Sequence, residues 1–208
     1  MNFLKTLKQI RNCKRNFNQT VDLIIVLTDF DVKRDSLNTS VILPNVFKEK
    51  KISAFLEKKQ ENKEVYQIIT KSQLDNLDPK EFKKTARESD FFLSNAKLMP
   101  AVAKNLGKVL GGKGKMPDPK IGCVIVNEDA ATISQAIKKL QNIVKIKAKD
   151  KSVKIAVGKE DMEDQKIAEN IEAVYKKVVS ELPKKEQSIK HLLLKVTMGK
   201  PVKVENEK

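Results

Sequence analysis

The stretch Leu110-Gly111-Gly112-Lys113-Gly114-Lys115-Met116-Pro117-Asp118-Pro119-Lys120 raises two rival readings, a nucleotide-binding enzyme and a nucleic-acid-binding protein. Its glycines free the backbone and expose N–H groups, its lysines bring positive charge, and its prolines freeze the exit. Such a loop suits phosphates, whether of a nucleotide or of a nucleic acid. Gly107 to Lys113 fits the GxxxxGK portion of a nucleotide-binding loop, but Gly114 then stands where a Ser or Thr hydroxyl must hold Mg²⁺. A helix-like segment, Leu98 to Leu110, precedes the loop where that motif needs a strand. Pro117 and Pro119 oppose the long helix that should follow. A nucleotide-binding enzyme using this Gly/Lys-rich loop is therefore the alternative reading, and nucleic-acid binding the leading one.

Downstream, Cys123 to Val126 (CVIV) reads as a strand, and Asp129 to Gln141 as a helix with Ile133, Ile137 and Leu140 on one face. Upstream, Val65 to Thr70 suggests a strand, Pro79 to Glu88 a helix with proline at its start, and Phe91 to Leu93 a buried strand. Strands alternating with helices predict a small doubly wound, Rossmann-like α/β unit. Residues 50–64 look short for that unit's first strand and helix.

The two ends read differently. Phe3, Leu7 and Ile10 share a helical face, Val21 to Leu27 is a β-branched run, and Ser40 to Leu43 is a second strand stopped by Pro44. Beyond Asp150, Val153 to Val157 alternates with lysine. Gln165 to Leu182 puts Ile167, Ile171, Val174 and Val178 on one helical face, and Leu192 to Val196 is a final strand. Each end is too small to stand alone, so one α+β domain joining both is expected: residues 1–47 plus 150–208, with residues 48–149 inserted. Two chain crossings side by side, near Lys48 and Lys149, predict a hinge.

The 208 residues carry 42 Lys+Arg against 27 Asp+Glu, a net charge of +15 that attracts polyanions. Residues 48–149 hold 22 basic and 12 acidic side chains, net +10, so the inserted part is the more electropositive. Aromatic residues make up 5% with no Trp, which argues against extensive base stacking. Cys13 and Cys123 have no CxxC spacing, and His191 is the only histidine. Neither a metal site nor a Ser-His-Asp triad is suggested, and no catalytic residue or cofactor is expected. Glu160, Asp161, Glu163 and Asp164 precede a helix, where they suit its dipole. No apolar run reaches the ~20 residues of a membrane span, so a soluble, intracellular protein is expected.

Two further stretches bear on binding. In Thr197-Met198-Gly199-Lys200-Pro201 a hydroxyl, a flexible apolar side chain and a glycine can press against an RNA backbone and its 2′-OH, although an ordinary turn fits as well. Arg15-Asn16-Phe17-Asn18-Gln19-Thr20 could equally be a helix exit with Phe17 as a core plug. Lys14, Arg15, Lys154, Lys159 and Lys195 are the candidates for neutralising phosphates.

Four motifs occur in order: Phe17-Asn18-Gln19-Thr20-Val21-Asp22, Asp90-Phe91-Phe92-Leu93-Ser94-Asn95-Ala96-Lys97-Leu98-Met99-Pro100, the Leu110–Lys120 loop, and Thr197-Met198-Gly199. Together they resemble the ribosomal protein L-one family, the mobile-stalk protein of the large ribosomal subunit, over nearly the whole chain. The central stretch and the Lys200-Pro201 ending look archaeal-like.

That resemblance implies a split α+β domain and an inserted Rossmann-like α/β domain joined by a two-stranded hinge. It implies binding of large-subunit rRNA through Phe17, Thr20, Asp22, Thr197, Met198 and Gly199. It also implies movement with deacylated tRNA leaving the exit site, and repression of the chain's own messenger RNA through a mimic of the rRNA site. A cytoplasmic, ribosome-bound protein that is monomeric when free follows, with Lys113 and Lys115 as secondary tRNA or rRNA contacts. The chain departs from the family at Gly112 and Lys113, where Pro and Arg are usual, and at Val196, where a hydroxyl is common. It departs again at His191, where many members have an RNA-touching serine.

Overall fold

The computed structural model describes residues 3–11, 15–28, 30, 37–57, 64–76, 79–148 and 150–204. The chain divides into two units, Met1–Lys48 with Asn142–Lys208, and Glu49–Gln141. The elements are α1 (Phe3–Ile10), β1 (Thr20–Leu27), β2 (Asn38–Ile42), β3 (Ile52–Leu56), β4 (Gln67–Thr70), α2 (Lys71–Asn76), α3 (Pro79–Glu88) and β5 (Phe91–Asn95). They continue with α4 (Met99–Gly112), β6 (Val124–Ile125), α5 (Ala130–Asn142), β7 (Ile143–Lys147), β8 (Ser152–Lys159), α6 (Asp164–Glu181), β9 (Ile189–Val196) and β10 (Val202–Lys203).

In the first unit a four-stranded antiparallel sheet has the order β10-β9-β1-β8. The N-terminal strand β1 is thus flanked on both sides by strands from the other end of the chain. Its burial alternates strictly, with Val21, Leu23, Ile25 and Leu27 inward. Those side chains meet Val153, Ile155 and Val157 of β8 and Leu192, Leu194 and Val196 of β9. Phe3, Leu7 and Ile10 of α1, with Ile167, Ile171, Val174 and Val178 of α6, complete one core. A separate antiparallel pair joins β2 to β7. Strand β7 was not read from the sequence. Its pairing draws the chain back into this unit at Asn142, ahead of the sequence-based boundary at residue 150.

Asn170, fully buried on α6, is a polar fixture of this core. It donates to Val157 O at 2.8 Å and Asn45 O at 2.9 Å, and accepts from Asn45 N at 3.0 Å. The segment just after Pro44 is thereby tied down.

The second unit is built on a four-stranded parallel sheet, β4-β3-β5-β6. All five residues of β3 and of β5 are buried, as befits parallel strands covered on both faces. One core packs Phe55, Phe82 and Phe92, their ring centroids 5.6 to 6.1 Å apart, against Leu74, Ala86, Val102, Leu106 and Leu110. The start of this unit is resolved by β3, the strand at Ile52–Leu56 that the sequence reading lacked.

The glycine-rich loop is a helix end. Gly107 to Gly112, the body of the apparent nucleotide-binding motif, lies inside α4. Gly114 takes φ +65, its N–H donates to Gly111 O at 3.0 Å, and Lys115 N–H donates to Leu110 O at 2.9 Å. That pair of bonds is the Schellman termination. The exposed N–H groups expected to cradle phosphates at 114 and 115 instead satisfy the last carbonyls of α4.

Candidate nucleic-acid interface

Outward-facing residues of the antiparallel sheet form a half-exposed surface. Asp22 lies between Lys195 of β9 and Ala156 of β8, Ile24 between Leu193 and Lys154, and Val26 between His191 and Ser152. Lys203 of β10 sits opposite Leu193. The sequence reading missed Lys203, because the two-residue β10 has no recognisable period. Thr20 and Lys159 pair at one end of the face. There β8 carries a bulge: Val21 opposes Gly158 and Asp22 opposes Ala156, leaving Val157 as the extra residue.

At that end the turn after β9 is locked to the start of β1. Thr197 N–H donates to Thr20 O at 3.1 Å, and Thr20 N–H donates to Thr197 Oγ1, also at 3.1 Å. The Thr197 hydroxyl lies 3.3 Å from Thr20 O as a donor. Met198 N–H donates to Gln19 Oε1 at 3.1 Å, and Gly199 N–H donates to Val196 O at 2.9 Å. A β-carbon on Gly199 would stand 2.6 Å from Val196 Cγ2, so any side chain there forces the turn or Val196 to shift.

Phe17 is 51% exposed and Met198 60% exposed. Phe17 is not the core plug considered above. Two large apolar side chains thus stand exposed, Met198 in the turn bonded to Gln19 and Phe17 just ahead of Gln19 in the chain, exposure suited to a partner.

Charge on the face is mixed. Asp22 has its carboxyl pushed up by burial, with Lys195 pulling it back down. Lys154 is exposed, Lys159 and Lys195 half-buried, and Arg15 exposed. Lys14 lies outside the described residues, as does Cys13. The acidic cluster ahead of α6 does more than face a dipole. Asp164 pairs with Arg11 at 2.7 Å, and Glu160 accepts from Gln19 Nε2 at 3.2 Å.

Lys113 and Lys115 belong to the second unit, where their ammonium groups reach backbone carbonyls. Lys113 Nζ donates to Lys83 O at 3.0 Å. Lys115 Nζ donates to Ala86 O at 3.1 Å, Arg87 O at 3.4 Å and Ser89 O. Lys115 therefore caps the negative end of α3. Desolvation, then the charges of Arg87, Lys115 and Lys83, holds Lys113 below the usual lysine range.

Among the described residues no group of three or more His, Cys, Asp or Glu could hold a metal ion, and no helix is long and apolar enough to cross a membrane.

Residues 7–200 match the model of the Ribosomal protein L1p/L10e family. The chain is 37% identical to the large ribosomal subunit protein uL1 of Methanothermococcus thermolithotrophicus, covering 98% of each chain. It is 36% identical to uL1 of Nanoarchaeum equitans over 92% of this chain and 93% of that one. With uL1 of Thermococcus kodakarensis it shares 34% identity, over 92% and 90%. The chain belongs to the ribosomal protein L1p/L10e family, a family of ribosomal proteins and not of enzymes.

Proposed function

We propose that this chain is a structural protein of the large ribosomal subunit that holds large-subunit rRNA at the mobile stalk, in the cytoplasm and ribosome-bound. The observation that carries the reading is the junction of the two chain ends. Thr197-Met198-Gly199 is fastened to Gln19-Thr20 at the edge of a sheet face bearing Asp22, Lys154 and Lys195.

In this reading Phe17, Thr20, Asp22, Thr197, Met198 and Gly199 set the shape of the specific contact. Lys14, Arg15, Lys154, Lys159, Lys195 and Lys203 neutralise phosphates. A rigid turn pressing an exposed thioether and a glycine backbone against RNA selects for fold rather than sequence, as RNA-binding proteins commonly do. The Asp22 carboxylate repels phosphate and accepts a hydrogen bond from a ribose hydroxyl, so it favours one register over others.

The first unit acts as the split RNA-binding domain and the second as the inserted, Rossmann-like domain. Strands β2 and β7, which lead out of the first unit and back, support a two-stranded hinge. The inserted domain follows deacylated tRNA out of the exit site, with Lys113 and Lys115 as weaker contacts. Lys115 contributes there through loop shape and field, since its ammonium already serves α3. The same RNA site represses translation of the chain's own messenger RNA. The free protein is monomeric.

Filter binding to a large-subunit rRNA transcript, across salt concentrations, tests this. Lys154→Ala should flatten the slope of log K against log salt by at most ~0.9. Thr197→Ala or Met198→Ala should cost ~1–3 kcal/mol on the cognate transcript with the slope kept. Equal losses on cognate and random RNA in both kinds of variant would overturn the division of roles. Sedimentation of a lysate should place the protein with large subunits. Finding it wholly unbound would instead favour a free-standing RNA regulator.

A further inference from the structure

The alternation that buries Val21, Leu23, Ile25 and Leu27 continues one step backwards to Gln19, a fully buried amide at a position where the period calls for an apolar side chain. A polar side chain in that register is retained only where both of its ends are satisfied. Gln19 Nε2 donates to Glu160 Oε2 at 3.2 Å, and Gln19 Oε1 accepts Met198 N–H at 3.1 Å. Its backbone oxygen also accepts Glu160 N–H at 2.8 Å. The Met198 amide can only donate and an ionised Glu160 can only accept, so the orientation of the Gln19 amide is fixed by its partners.

Glu160 is itself anchored. The Arg11 guanidinium donates to Glu160 O and Met162 O, each at 2.5 Å, and pairs with Asp164 at 2.7 Å. A continuous polar chain therefore runs from Asp164 through Arg11 and the 160–162 turn to Gln19, and ends on Met198.

We propose that Gln19 is the positioning residue of the RNA site, the buried amide that clasps the Thr197–Gly199 turn to the β8–α6 turn so that Met198 is presented in one fixed pose. The inference rests on the RNA-binding reading above. Pre-organisation of this kind raises affinity by removing the cost of ordering the turn on contact. Among the straight-chain residues of this length, Gln, Glu, Lys and Met, only glutamine both donates to a carboxylate and accepts from an amide.

Reversing the polarity of the clasp tests it. In Gln19→Glu two carboxylates face each other, and affinity for a large-subunit rRNA transcript should fall about tenfold or more at neutral pH. Adding Glu160→Gln lets an amide at 160 donate to the carboxylate at 19, which still accepts from Met198. The double variant has the wild-type net charge, so any recovery is not a change in the protein's overall charge. It should bind within about threefold of wild type. Gln19→Glu binding like wild type, or a double variant no tighter than Gln19→Glu, overturns the assignment.

Should Gln19→Glu fail to fold, the double variant decides alone. Folding and binding near wild type support the clasp, and weak binding or failure to fold overturns it. Hydrogen exchange gives an independent readout on the unaltered chain, where the Met198 amide should exchange slowly despite its exposed side chain. Fast exchange at Met198 overturns the clasp. Wild-type protein that does not prefer the transcript over random RNA of equal length overturns the functional reading, and this role with it. A failed rescue in a wild-type background that does prefer it overturns the positioning role alone.

Discussion

Replacing Gly199 by alanine places a methyl carbon 2.6 Å from Val196 Cγ2, more than 1 Å inside ordinary carbon–carbon contact. Val196 is fully buried at the end of β9 and cannot swing into solvent. The backbone of the turn must therefore move, and insertion of a methyl into a packed site costs about 1–3 kcal/mol. The same movement pulls Met198 N–H away from Gln19 and Thr197 N–H from Thr20, so specific RNA affinity should fall by about tenfold to a hundredfold. The assay is urea denaturation followed by binding to cognate and random RNA at two salt concentrations. Loss should be confined to cognate RNA with the salt slope intact. Val196→Ala removes the colliding carbon at a cost of about 1.5–3 kcal/mol in lost burial. In the double variant the new methyl partly refills that space, so the two costs should fall short of additivity by about 1 kcal/mol. Gly199→Ala with a wild-type denaturation midpoint and wild-type affinity would refute the close approach at its root.

Other perturbations probe separate parts of the molecule. Asn170→Leu leaves Val157 O and both backbone groups of Asn45 without that partner, and calorimetry should register a loss of about 2–4 kcal/mol. Gly114→Ala forces a side chain into the left-handed region and should destabilise by about 1–2 kcal/mol, with nucleotide still failing to bind in a titration. Lys115→Ala removes the cap on α3 for about 1 kcal/mol in thermal unfolding, and the rRNA salt slope should not change. Burial raises the Asp22 carboxyl, so folding favours its protonated form. That contribution is full below the ordinary value of 3.8 and is lost as pH rises through the folded value. Asp22→Asn should therefore match wild type at pH 3 and be the more stable at pH 7, as read from denaturation midpoints.

Periodicity made much of this fold legible. The alternation of Val21 to Leu27 and the 3.6-residue spacing of Ile167, Ile171, Val174 and Val178 are local signals of one buried face, and both elements are present. Strand β3 escaped notice because Ile52–Leu56 is buried on both faces and so has no alternation, and because Lys48–Lys51 ahead of it reads as a junction. Strand β7 follows α5 with no glycine or proline between them, so no breaker marked the change. The glycine loop misled for a related reason: the residues that cradle a phosphate are also those that end a helix, and only the hydrogen-bond partners of Gly114 and Lys115 separate the two. Motif order identified the turn at Thr197, yet nothing local linked positions 19, 160 and 198. The one available hint was a glutamine standing in the buried register of β1.

The placement of β1 between β8 and β9 has a consequence for biosynthesis. A nascent chain delivers β1 before the whole Glu49–Gln141 unit, and both of its sheet neighbours only after that unit. The residues from Glu49 to Gln141 contain their own sheet and core, and can consolidate while Val21–Leu27 still waits for partners. Long-range pairing of this kind is slow to close. An unfinished polypeptide thus lacks the junction of Gln19–Thr20 with Thr197–Gly199, which closes only after Thr197 has emerged.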